Sequence, residues 1–186
     1  MAYRLGDDTA KRAGRLTLNP LKHLDPMGLL MMLVFRFGWA KPVPVNMMKF
    51  RNPKRGMAVT ALAGPGCNLL ITVAALFLYG ALIRPLSGNA VGETVLELLE
   101  LTAYMSLGFC IFNLIPVPPL DGSKILFSAL SDEAYWKLMR YERYGSIALI
   151  LLVWTGFLGR PLSRLIQGAY SYLFPIARAA FHLVNG

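Results

Sequence analysis

The chain has 186 residues, of which 55% are hydrophobic and only 16% charged, a balance that argues against an ordinary water-soluble domain of that length. Its net charge is +9, which raises nucleic acid as a partner. No interleaving of aromatic and basic side chains accompanies the charge, so no nucleic-acid partner is expected.

Met1–Leu18 reads as a helix end and an irregular connection, with Gly6 and Gly14 as breakers and Asn19-Pro20 as a turn. The apolar stretch from Met27 meets Arg36 after Phe35. That is too short to cross a hydrocarbon core of about 30 Å, which needs about 20 residues, so a re-entrant or interfacial segment is expected. Gly38–Asn46 alternates proline with valine, and prolines cannot donate to a sheet, which predicts an extended element, an edge strand at best.

Arg51–Gly56 is a basic turn leading into the uncharged run Gly56–Ile83, 28 residues long and sufficient for a membrane span. This run holds the small residues Ala63, Gly64 and Gly66 around Pro65, with Cys67 and the amide of Asn68. Small residues let helices approach closely, and a proline inside a span is tolerated where neighbours satisfy the freed carbonyl. Ten of the 19 basic residues lie in Met1–Pro26 and Lys41–Arg55, whereas Arg84–Glu93 carries one Arg and one Glu. That asymmetry places the N-terminal basic region on the cytoplasmic side.

Glu93, Glu97 and Glu100 share one face where the next span begins, which reads as a solvated helix end. Leu101–Leu120 follows with 20 uncharged residues and includes Cys110. Tyr144–Gly159, 16 residues with Trp154 near one end, is a third span. Residues 161–184 mix Arg164, Gln167 and Arg178 with apolar side chains, the pattern of an interfacial or tilted helix. The fold class expected is therefore an all-α integral membrane protein. It has three or more transmembrane helices, a re-entrant or interfacial segment and a short extended element.

Chemistry concentrates where the second span ends, in Asn113-Leu114-Ile115-Pro116-Val117-Pro118-Pro119-Leu120-Asp121-Gly122. An ionisable residue closing a long uncharged run is a functional-site candidate. The prolines remove backbone donors and stop the helix, while Gly122 permits a close approach. A second reading stays open, in which Asp121 caps a helix starting at Ser123. Asn68 and Asn113 are polar residues deep in apolar runs, so each must find hydrogen bonds, either as interhelical glue or in a site.

The stretch Asn113–Gly122 resembles the Asn-x-x-Pro-x-x-x-x-Asp-Gly signature of the site-2 protease family of intramembrane zinc metalloproteases. Arg4-Leu5-Gly6-Asp7, Asn19-Pro20-Leu21, His23–Gly28, Gly38–Val45 and Ala63-Gly64-Pro65 with Asn68 agree with that family in order and spacing, over roughly residues 3–126. The resemblance implies a single membrane-embedded protease-like domain over 1–186. Its segments are a cytoplasmic start at 1–26, a re-entrant and extended basic region at 27–55, spans at 56–83, 94–120 and 144–159, and a tilted helix at 161–184. It implies Asp121 as a zinc ligand, Asn68 and Asn113 as substrate-binding residues, and zinc as cofactor. The expected partners are a transmembrane protein substrate and the lipid bilayer, in a bacterial or archaeal cell membrane.

That family's chemistry needs a His-Glu-x-x-His helix, in which two histidines one turn apart hold zinc and the Glu activates water. No such motif occurs in the 186 residues, whose two histidines are His23 and His182. Neither falls at a position that the resemblance treats as metal-binding, and surface or interface roles are expected for both. The resemblance places the missing motif just upstream of Met1. The expectation is thus a chain shortened at its start, with no catalytic residue of its own and inactive as written. Two alternatives remain: a catalytically dead scaffold that binds transmembrane helices, and a small transporter subunit using Glu97, Glu100 and Asp121.

Overall fold

The structure is a computed structural model that describes residues 1–36 and 38–185, with the backbone alone for Glu142 and Arg143. It divides into two compact units, Met1–Thr60 and Ala61–Gly186. All regular elements among the described residues are helical.

The first unit holds two short helices, α1 (Thr9–Arg12) and α2 (Pro26–Phe35), three 3-10 turns, and the opening of α3 (Pro53–Leu86). Asp25 caps α2 by accepting from the Gly28 amide at 2.9 Å, with Pro26 at the first helical position where its missing donor costs nothing. Ten residues make a helix about 15 Å long, half a hydrocarbon core, as its sequence suggested. The Pro-Val segment joins no strand. It follows one isolated antiparallel bridge, Leu24 to Ala40, beside which the Lys41 amide donates to the His23 carbonyl at 2.9 Å. Pro42 and Pro44 come directly after and have no donors to extend that pairing.

Asp7 ties this unit together. It is fully buried, and its carboxylate accepts from the Thr9 amide at 3.0 Å, the Thr9 hydroxyl, and the Asn46 amide at 2.7 Å across 39 residues of sequence. Burial alone would push the Asp7 carboxyl up. The donors from Thr9 and Asn46, with the charge of Lys49, outweigh burial and hold it below the ordinary carboxylate value.

The second unit is built on α3 and α4 (Ala90–Asn113), two helices long and apolar enough to cross a membrane by length and composition. Asn89 starts α4 by accepting from the Gly92 amide at 2.7 Å. After α4 come α5 (Asp121–Ser128), α6 (Asp132–Arg140), α7 (Glu142–Trp154), α8 (Gly159–Leu173) and α9 (Pro175–Asn185). The third expected span, 144–159, holds a helix that ends at Trp154, too short to cross on its own. Tyr144–Trp154 and Gly159–Asn185 meet at 85°, so this pair is a broken span or a re-entrant loop. Gly156 turns the chain there with φ of 71°, a conformation glycine adopts without strain. The stretch 161–184 is two helices, because Pro175 cannot continue α8.

The core of this unit lies where α3, α4 and α9 meet, at Ala75, Leu76, Ala103 and Ala177, with Tyr79, Tyr170 and Phe174 packed against it. Gly80 permits the closest approach, since a Cβ there would overlap the Ala177 carbonyl of α9. Buried Thr72 links α3 to α4 by donating to the carbonyls of Asn68, at 2.9 Å, and Ala103, at 3.3 Å. In an apolar surrounding such a hydroxyl has no water to fall back on, so this pairing fixes the register of the two helices.

Candidate functional site

The sequence signature closes α4 and opens α5. Past Asn113 the chain folds through three tight turns: Ile115 donates to Phe112 at 3.2 Å, Val117 to Ile115 at 2.8 Å and Leu120 to Val117 at 3.0 Å. The prolines between them supply no donors, so these turns satisfy the few amides available. Gly122 then lies against the start of the same loop, where a Cβ would overlap the Leu114 carbonyl. Ser123 is buried, and its hydroxyl donates back to the Leu120 carbonyl at 2.7 Å. The loop is clasped from both ends, and Asp121 follows it as the first residue of α5.

Asp121 is the first residue of α5, whose N-cap is Leu120, with no side-chain cap bond. The helix starts at Asp121 itself, one residue earlier than a cap at Asp121 requires and two before the expected start at Ser123, so the carboxylate is not used as a cap. It is half-buried, and its one ion-pair partner among the described residues is Lys124, at 4.0 Å one turn along. Burial pushes the Asp121 carboxyl up, and Lys124 opposes that only in part. The structure places Oδ2 beside Gly64 of α3, where a Cβ would lie 3.3 Å away. Gly64 precedes Asn68 by four residues, so Asn68 continues the helix face that Asp121 approaches.

Asn68 is partly exposed, and among the described residues its side chain makes no hydrogen bond. Asn113 donates from Nδ2 to the Phe109 carbonyl of its own helix at 2.9 Å, while its amide oxygen has no partner among the described residues. Both therefore keep polar capacity that internal packing does not consume. Glu97 and Glu100 lie in the first half of α4, on the opposite side of that helix's length from Asp121, and the Tyr170 hydroxyl donates to Glu100 at 3.4 Å.

A catalytic zinc needs three protein ligands and an open position. Among the described residues no group of three or more His, Cys, Asp or Glu could hold a metal ion. His182 lies on α9, and the His23 ring faces the Thr17 carbonyl at 3.0 Å in the first unit. One carboxylate with a lysine beside it does not make a catalytic zinc centre, so the donor set of these residues does not fit the metal on its own. Sequence reasoning marked Gly64 as one of several small residues without its partner, and missed Gly145. Gly64 makes room for Oδ2 and Gly145 of α7 lies against Pro118 of the loop, where a Cβ would be 2.7 Å from the Pro118 carbonyl.

The sequence pattern of peptidase family M50 matches residues 79–154, which contain the loop and Asp121. YwhC of Bacillus subtilis (strain 168), named a putative zinc metalloprotease, is 38% identical over 161 residues, covering 83% of this chain and 72% of that one. The chain belongs to peptidase family M50. Two further relatives carry the same kind of name, putative zinc metalloprotease Rip2. That of Mycolicibacterium smegmatis is 32% identical over 185 residues, covering 92% of this chain and 68% of its own. That of Mycobacterium tuberculosis (strain H37Rv) is 29% identical over 189 residues, covering 98% and 68%. No solved structure matches the chain. Membership of M50 accords with the resemblance to the site-2 protease family, with zinc as that family's metal, and with a membrane-integral bacterial protein.

Proposed function

We propose that this chain is the substrate-facing part of an intramembrane zinc metalloendopeptidase that cuts transmembrane helices, with Asp121 as a carboxylate ligand of the zinc. The other ligands and the general base are groups that these 186 residues do not contain, and the residues alone hydrolyse no peptide. The observation that carries this reading is the clasped loop 114–120. It holds an ionisable side chain at the end of an apolar helix, against a glycine of the neighbouring one.

Asn68, one turn along α3 from Gly64, and Asn113, at the end of α4, keep unspent hydrogen-bonding capacity. A transmembrane helix must unwind locally before it can be cut, and its freed backbone groups then need partners in an apolar setting. Asn68 and Asn113 are the residues we assign to that task. The N-terminal basic region lies on the cytoplasmic side, by the positive-inside rule.

The shortage of zinc donors favours a second reading, a scaffold that binds transmembrane helices without cutting them. One experiment separates the two. A version carrying a His-Glu-x-x-His helix is reconstituted with a transmembrane peptide and cleavage is followed. The protease reading expects cleavage that Asn68→Leu and Asn113→Leu each reduce in kcat/KM by about tenfold or more, the loss of at least one hydrogen bond in a dry site. Binding of the peptide with no cleavage overturns the protease reading in favour of the scaffold.

A further inference from the structure

The first unit contains a concavity of about 670 Å³ whose lining includes Arg4, Lys49, Arg51 and Arg55. Four cations converge there and no carboxylate lines it. Lys49 is engaged with Asp8 at 2.5 Å, while Arg4, Arg51 and Arg55 have no acidic partner among the described residues. Like charges gathered without counter-charges repel one another, so an anion between them is stabilised on electrostatic grounds.

The concavity is held in shape by contacts distant in sequence. Gly6, with φ of 106°, brings Arg4 to the Lys49 backbone, where a Cβ would lie 3.3 Å from the Lys49 carbonyl. Phe50 is buried against Gly56, where any Cβ would overlap its ring, and this sets the Lys49–Arg51 turn against the first turn of α3. The Asp7 to Asn46 bond fixes the same two pieces from behind. These three ties fix the backbone that carries the arginines before any ligand arrives, and the guanidinium forks suit phosphate oxygens.

We propose that this concavity binds the phosphodiester of an anionic phospholipid headgroup. Its position favours a lipid over a soluble phosphate. The uncharged run begins at Gly56, which is itself part of the wall, so the arginines sit at the level where headgroups meet the hydrocarbon. Leu5 and Val59 give the wall an apolar portion beside the cations. The volume suits a whole headgroup, inside the range of about 300–1,000 Å³ usual for ligand sites.

The test is lipid retention by the purified full chain in phosphatidylcholine nanodiscs doped with phosphatidylglycerol, read by native mass spectrometry. Retention of phosphatidylglycerol over phosphatidylcholine is expected. Each of Arg4→Gln, Arg51→Gln and Arg55→Gln should lower it about fivefold, the value of one cation close to an anionic surface. Arg51→Lys should keep part of it, and Lys11→Gln and Lys22→Gln, basic residues outside the concavity, should change it less than about twofold. Far-UV circular dichroism verifies that each variant is folded. Equal losses from Lys11→Gln and Lys22→Gln overturn the proposal in favour of diffuse surface charge. So does an absence of preference in the wild type, or displacement of the lipid by millimolar inorganic phosphate, which identifies a soluble ligand.

Discussion

Replacing Asp7 should release the Pro-Val segment from the rest of its unit. Every contact to this carboxylate is a donor: Thr9 through its amide and hydroxyl on Oδ1, and Asn46 through its amide on Oδ2. Asp7→Ala orphans all three, and hydrogen bonds to a buried charge contribute roughly 1.5–3 kcal/mol. With Asp7 fully buried, we expect about 2–3 kcal/mol of local stability to be lost, or about 30- to 150-fold faster opening around Asn46. Hydrogen–deuterium exchange on peptides covering residues 42–50 reads this directly. Asp7→Asn is a sharper probe. An amide nitrogen in place of Oδ2 would face the Asn46 amide donor to donor, so Asn46 should exchange about as fast as in Asp7→Ala, while the Thr9 amide keeps its acceptor. The acid side carries a further signature. The folded-state carboxyl lies below its ordinary value of 3.8, so its contribution is complete above that value and is lost as pH falls through the lower folded value. Exchange around Asn46, corrected for intrinsic rates, should therefore stay flat from neutral pH down to about 4 and rise below it in the wild type only. Asn46 exchange within about twofold of wild type in both variants would refute this role for Asp7.

Other substitutions test the second unit. Gly80→Ala places a Cβ into the Ala177 carbonyl and should lower stability by about 1–3 kcal/mol. Gly66→Ala, with nothing within 4 Å on the same helix, should be neutral or stabilising by up to about 1 kcal/mol. Thermal unfolding of both in one detergent checks the pair, and a Gly80→Ala protein as stable as Gly66→Ala would count against the α3–α9 crossing. Asn89→Ala removes the acceptor for the Gly92 amide and should cost about 1 kcal/mol at the start of α4. Unchanged exchange at residues 90–93 would contradict that.

The two long helices were legible because an uncharged run of 20 residues or more has few stable alternatives to a helix across a bilayer. The clasped loop was legible in part. Three prolines after Asn113 announce the end of a helix, and Asp121 announces a site, but the sequence left open whether that side chain is a cap. The answer depends on where α5 begins, which Ser123 and Gly122 settle through contacts with Leu120 and Leu114. The roles of Gly80 and Gly145, and the partner of Gly64, were hidden for the same reason, since a close approach is a property of two segments and the sequence displays one at a time. Helix α6 escaped notice as well. Its signals, Ser131 as cap to the Ala134 amide at 3.4 Å and a fully buried Tyr135, are modest against a polar background. The Gly38–Asn46 segment shows the reverse. Its prolines limited pairing as expected, leaving one bridge where an edge strand was conceivable.

The protease reading depends on the Asp121 carboxylate serving a metal. The most direct measurement is zinc affinity, by competition with a chelator, of a version carrying the His-Glu-x-x-His helix, with Asp121 intact and replaced by Ala. One tightly held zinc is expected, which Asp121→Ala weakens by at least about 100-fold, the loss of a protein ligand where even an outer-sphere partner is worth about 10- to 100-fold. Equal zinc affinity in the two proteins would contradict it.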